Sequence, residues 1–174
     1  MIGKVVAVIL GVVVIGVVVV GFLAFVPSPS TCTPDAAAGD AAGAEARWEA
    51  WTTAGAGSSV TFTEAEATAI LRSRRPDLAI KDPVVHFCGD GSVQLSFSYP
   101  LGPVAVKGVA TGTIEATSPL SVTVESVAIG GLPSAATDAV LGSVKQVASD
   151  ASSLGLAGPV KSVAITQGTA TIGQ

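Results

Sequence analysis

The sequence predicts an α+β domain: a curved antiparallel sheet of about six strands wrapped on a long amphipathic helix, preceded by one transmembrane helix. Three observations carry this. An uninterrupted apolar run opens the chain. Short alternating segments with turn chemistry between them follow. Residues 120–154 then read as a strand, a Gly-Gly-Leu-Pro elbow and a long amphipathic helix. Strands joined by short turns, with no helical crossover between them, pair antiparallel.

The apolar run covers residues 5–26, from Val5 to Val26, behind Met-Ile-Gly-Lys. At about 1.5 Å per helical residue it reaches about 33 Å, enough to cross a hydrocarbon core of about 30 Å. It is longer than the apolar part of a secretory signal, and Pro-Ser-Pro-Ser-Thr behind it offers no small-x-small cleavage site. Pro29, Ser30 and Thr31 before Cys32 do not make a lipobox. Lys4 on the N-terminal side favours a cytoplasmic N-terminus. The expectation is a signal anchor over 1–26, in a single-pass cell-membrane protein with its domain outside. Gly11, Gly16 and Gly21 are five apart, so they do not form a GxxxG helix-pairing face.

Residues 27–59 read as an Ala/Gly/Pro-rich linker with a short helix from Asp40 to about Thr52. Trp48 and Trp51 stand one turn apart on it. Two readings stay open for them: the membrane interface, which favours tryptophan, or a cap on the domain's core.

The domain itself is expected over 60–174. Thr63-Glu-Ala-Glu66 is a capping box, and its helix ends at Arg72-Ser-Arg-Arg75-Pro76, with cations where the helix dipole favours them; contact of this basic triplet with anionic lipid headgroups is the alternative reading. Val84 to Cys88 and Val93 to Tyr99 flank Gly89-Asp90-Gly91, a hairpin turn. A long strand follows over 104–117. One of its faces carries Val104, Val106, Gly108, Ala110, Gly112, Ile114 and Ala116. Next, Leu120, Val122 and Val124 alternate with polar residues. The apolar phase then shifts to Val127 and Ile129, which predicts a bulge near Glu125-Ser126. In the expected helix, capped by Ser134, the residues Ala136, Val140, Val144, Val147, Ala151 and Leu154 form one seam. A last hairpin turns about Gln167-Gly168.

Composition limits the chemistry. Acidic residues outnumber basic ones, 13 to 9, and aromatics make up 5 % of the chain, which argues against nucleic-acid binding. No cluster with metal-ligand spacing occurs, nor any phosphate-loop or nucleophile-elbow motif. No cofactor is implied. His86 is the one histidine; as a base it would need a serine and an acid that only folding could supply. The chain reads as a non-enzyme. Cys32 and Cys88 both fall outside the membrane in this topology, where an even count suggests a disulfide; two unpaired thiols are the alternative.

The sharper signal is the small-residue stripe Gly108, Ala110 and Gly112. Either the helix seats directly on it, or an apolar groove remains. Such a groove would be lined by Val106, Gly108, Ala110, Gly112, Ile114, Val122 and Val124 on the sheet and by Val140, Val144 and Val147 on the helix. It would suit a lipid acyl chain.

Taken together, the FTEAEATAILRSR helix, the VQLSFSY and VKGVATGTIEAT strands, the VTVESVAIGGLPSAATDAVL elbow and the closing VKSVAITQGTATIGQ pair resemble membrane-anchored bacterial proteins related to the tubular lipid-binding (TULIP) superfamily. The resemblance spans about residues 60–174 and implies a curved sheet around a long helix with an apolar channel for a lipid tail. It supplies no catalytic residues, and a complete two-unit tube would require a homodimer or an envelope partner. The expected function is binding of an acyl chain or similar apolar ligand outside the membrane, serving lipid transfer or envelope maintenance. A scaffold domain that holds an envelope complex is the alternative.

Overall fold

The computed structural model describes residues 29–74, 76, 80–101, 104–117, 121–130, 141–142, 144–145 and 160–174. Within them the chain is mostly strand. Helix α1 (Ala41–Thr53) is followed by strand β1 (Ser59–Thr63), helix α2 (Glu64–Arg74) and strands β2 (Lys81–Phe87), β3 (Val93–Leu101), β4 (Val104–Glu115) and β5 (Ser121–Ile129). Strands β6 (Ser162–Thr166) and β7 (Thr169–Gly173) close the order.

These strands form two antiparallel sheets, one ordered β2-β3-β4-β5 and the other β1-β7-β6. The expected single six-stranded sheet wrapped on a long helix is therefore corrected. A seventh strand, β1, pairs with β7 from Ser59↔Gly173 to Thr63↔Thr169 and founds a second sheet. Its five residues alternate exposed and buried, a period-2 pattern lying directly against the capping box. Among the described residues the two helices seen from end to end are short, and no long amphipathic helix is among them. Leu141, Gly142, Val144 and Lys145 are helical; the rest of the expected seam lies outside the described residues, as does the expected transmembrane segment 1–26. No described helix is long and apolar enough to cross a membrane.

Several local features follow from residue chemistry. Asp40 caps α1 by accepting the Gly43 N–H. At α2 the capping box is complete: the Glu66 N–H donates to Thr63 Oγ1 at 3.3 Å and the Thr63 N–H donates to Glu66 Oε2 at 3.0 Å. In β5, Thr111 faces Ser126 while Gly112 faces Val124, so Glu125 is the extra residue of a bulge. That bulge is where the apolar phase shifts.

Helix α2 lies along the open edge of β2. Three residues at helical spacing meet that edge's backbone: Glu64 Oε1 accepts the Phe87 N–H at 2.7 Å, Thr68 Oγ1 accepts the Val85 N–H at 2.9 Å, and Arg72 Nε donates to the Pro83 carbonyl at 3.0 Å. Spacings of four place all three on one helix face.

Two apolar cores result. One joins Leu71, Ile80, Phe97, Val106, Ala110, Ile129 and Val144. The other joins Ala44, Trp48 and Trp51 of α1 to Val60, Phe62, Val160 and Ile172. The stretch read as a linker thus supplies core: Ala44 is 0 % exposed and Trp48 6 %. The two indoles pack with centroids 4.8 Å apart, and Trp48 reaches Phe62 at 6.0 Å. Capping the core is the reading of these tryptophans that the packing supports.

Candidate functional site: an apolar cavity between the sheets

The inner face of the four-stranded sheet is set by alternation. Val93, Leu95, Phe97 and Tyr99 share one side of β3 and face Gly112, Ala110, Gly108 and Val106 on β4. Between this face and the smaller sheet lies a cavity of about 240 Å³. The larger sheet contributes Val85 and Phe87, Val93 and Leu95, then Ala110, Gly112 and Ile114, then Val122 and Val124. Opposite them stand Phe62, Val163, Ala170 and Ile172 of the smaller sheet. Ala67, Ile70 and Leu71 of α2, Trp48 of α1, and Val144 close the sides; Thr111 is the one polar residue in the lining.

Six of the groove residues read from the sequence therefore line the cavity: Ala110, Gly112, Ile114, Val122, Val124 and Val144. Val106 and Gly108 do not. Val106 is buried in the core beside Phe97. Gly108 is covered by the Phe97 ring, whose Cζ would lie 2.6 Å from any added Cβ. Val140 and Val147 lie outside the described residues.

The small-residue stripe thus has three separate causes. Gly108 admits an aromatic ring. At Gly112 the bulge brings the Thr123 carbonyl into the space a Cβ would need. Ala110 leaves room in the cavity.

The smaller sheet and α1 were the parts missed in reading the site. Val60 and Phe62 carried a weak signal, an alternation only five residues long.

The opposite face of the same sheet is polar. His86 sits between Val85 and Phe87, so it points away from the cavity, and it is 0 % exposed. Its Nδ1 lies 3.0 Å from Thr33 Oγ1, which donates to Glu64 Oε1 at 2.7 Å. A hydroxyl has one proton to give; Thr33 spends it on Glu64, so His86 Nδ1 carries the hydrogen and donates to Thr33. His86 Nε2 then accepts from Ser96 Oγ at 2.9 Å. Burial lowers the His86 pKa below its ordinary value, against the opposing pull of Glu64 and of Asp35, whose Oδ1 is 3.7 Å from Nε2. The lowered pKa favours the neutral ring that this tautomer describes.

A serine 2.9 Å from a histidine has the spacing of a nucleophile and its base. The surroundings do not complete it. Ser96 lies mid-strand between β2 and β4, where neighbouring backbone N–H groups serve the ladders and none is offered to an oxyanion. Burial also weakens this histidine as a base. The cluster instead fastens the N-terminal strap: Thr33 is buried against it, the Cys32 N–H donates to Gln94 Oε1 at 2.9 Å, and Cys32 is joined to Cys88 by a disulfide, Cα to Cα 5.6 Å. Among the described residues no group of His, Cys, Asp and Glu has the arrangement to hold a metal ion.

Comparisons with family models, with curated proteins and with solved structures find no match to this chain.

Proposed function

We propose that the chain is a non-enzymatic, membrane-anchored domain that binds a lipid acyl chain, or a similar apolar ligand, outside the membrane. The observation that carries this is the cavity: about 240 Å³ lined by apolar side chains and a single threonine. The cavity is partly open, and apolar surface of this extent is costly to leave against water. Its size supports one class of occupant. An apolar cavity of about 150 Å³ already admits benzene, whereas drug-sized ligands need about 300–1,000 Å³. One hydrocarbon segment suits this volume; a headgroup or a whole two-chain lipid does not. The polar groups of the sheet lie on its other face, which favours holding a ligand over transforming one. The apolar run at 5–26 supports the anchor, and the disulfide supports an oxidising, extracytoplasmic location. The resemblance to tubular lipid-binding proteins supports the same reading through its motifs and not through its architecture.

Lipid mass spectrometry on the purified full-length chain tests it. Acyl-bearing species should co-purify with the unmodified protein and be lost from Ala67→Trp, which fills the cavity from α2. An unmodified protein free of any apolar ligand would sink the proposal.

A further inference from the structure

We infer that the domain meets the bilayer with one particular pole, the one carrying the Cys32–Cys88 bridge and the β2–β3 turn, and that a short covalent tether imposes this orientation. The inference rests on the anchored reading above.

Its first part is chain length. Six residue steps separate Val26, the end of the apolar run, from Cys32, which is bonded to Cys88 at the end of β2. At about 3.3–3.6 Å per step they span about 20 Å at full extension. The next residue, Thr33, is itself buried against His86 and Glu64, so the strap has no slack beyond that point.

The second part is the size of what is tethered. The Cys88 N–H donates to the Ser92 carbonyl, and the next residue, Val93, faces Gly112. From that level to the β3–β4 connection is about nine strand steps, about 30 Å at about 3.3 Å each. To present the far pole the bridge would have to stand about 30 Å from the membrane. The tether reaches about 20 Å.

The third part is what the near pole carries. Antiparallel pairing of Val93 with Gly112 and of Gly112 with Val124 puts the start of β3 and the close of β4 at the same end as Cys88. The β6–β7 turn joins them, its Gly168 N–H donating to the Phe87 carbonyl at 2.9 Å. Phe87, Val93, Gly112 and Val124 are also cavity residues, so this end of the cavity is the one held toward the lipid. Among the described residues Asp90 and Glu115 are exposed there, Asp35 lies 3.7 Å from His86, and the exposed Arg47 is paired with Glu66. The unpaired excess is acidic, so the contact fits neutral headgroups, and the tether supplies the attraction that charge does not.

The experiment uses the full-length chain in zwitterionic phosphatidylcholine nanodiscs, with a photo-cross-linking amino acid at position 90 or at position 107. Asp90 belongs to the near pole and Lys107, paired with Ser98, to the far half of β4. Lipid adducts should form several-fold more from position 90. Inserting about 60 Gly/Ser residues between Pro27 and Ser28, a coil of about 40 Å r.m.s., should bring the two positions level. Equal labelling in the uninserted chain, stronger labelling from 107, or no adduct from either position would overturn the inference. A preference that persists after the insertion would overturn the tether as its cause. Ala67→Trp should keep the preference for position 90, so orientation and acyl binding fail independently.

Discussion

At the scale of single residues, the buried Thr33–His86–Glu64 chain gives the clearest consequences. Burial lowers the His86 pKa in the fold, whereas in the unfolded chain it takes up a proton near its ordinary pKa of about 6.5. Below that value the unfolded state binds more protons than the folded one, so stability must fall as the pH drops. Urea midpoints measured between about pH 8 and pH 5 should decline on the acid side, and His86→Gln should flatten that part of the slope. Thr33→Val removes the hydroxyl that bridges Nδ1 to the Glu64 carboxyl, leaving a buried donor unpaired. It should cost about 1–3 kcal/mol by urea titration; a loss within error would show that water takes the hydroxyl's place. None of this was legible in the sequence. His86 could be placed on the face opposite Val85 and Phe87 by alternation, but its partners stand 53, 22 and 10 residues away, and nothing local marks a threonine in a Pro-rich strap as one of them.

Among the elements, α1 shows how a compositional reading can miss packing. Its Ala/Gly richness looks like a linker, yet small residues are what allow a helix to lie close to its neighbours, and two indoles anchor it. Glu66 ties it to α2. Partial burial works against ionisation of that carboxyl, but the Thr63 N–H, the Thr63 hydroxyl and Arg47 outweigh it and hold the pKa below the usual range. Arg47 meets Glu66 at 2.6 Å and Arg74 meets Glu45 at 2.8 Å, pairs open enough to solvent to count for little beside the apolar contact. Trp48→Ala should therefore cost about 3–5 kcal/mol, and a loss under about 1 kcal/mol would return α1 to the status of a linker. The strands fared better. Alternation, Gly-Asp-Gly and Gln-Gly located the hairpins, and the change of phase after Val124 located the bulge, because each is a short-range signal.

For the whole molecule, the division into two sheets was out of reach of the sequence. Alternation says which residues face a core but not which strand a strand will choose, and β1 and β7 are 110 residues apart at Thr61↔Thr171. The cavity was half legible for the same reason: its floor could be read from β4 and β5, while its other wall came from β6 and β7, expected in the same sheet, and from β1, not expected as a strand. The disulfide closes a loop with a sequence separation of 56. In the chain-entropy model such a loop contributes about 4 kcal/mol. Denatured, unreduced protein should show no reactive thiol, and reductant should lower the urea midpoint. Two titratable thiols would remove the bridge and with it the short tether.

The stripe of Glu64, Thr68 and Arg72 along β2 bears on a hazard every open sheet faces. An edge strand with idle N–H and carbonyl groups is a template on which another copy of the chain can add. Here one edge has those groups occupied by helix side chains and also carries Pro83, which has no N–H to offer. The other edge, β5, is broken by the Glu125 bulge, with a carboxylate at the irregularity. Among the described residues neither side of the four-stranded sheet offers a straight, unoccupied row. Resistance to aggregation is thus built into both margins. On the anchored reading proposed above, export across a membrane in the unfolded state and crowding on its surface would make that protection matter most.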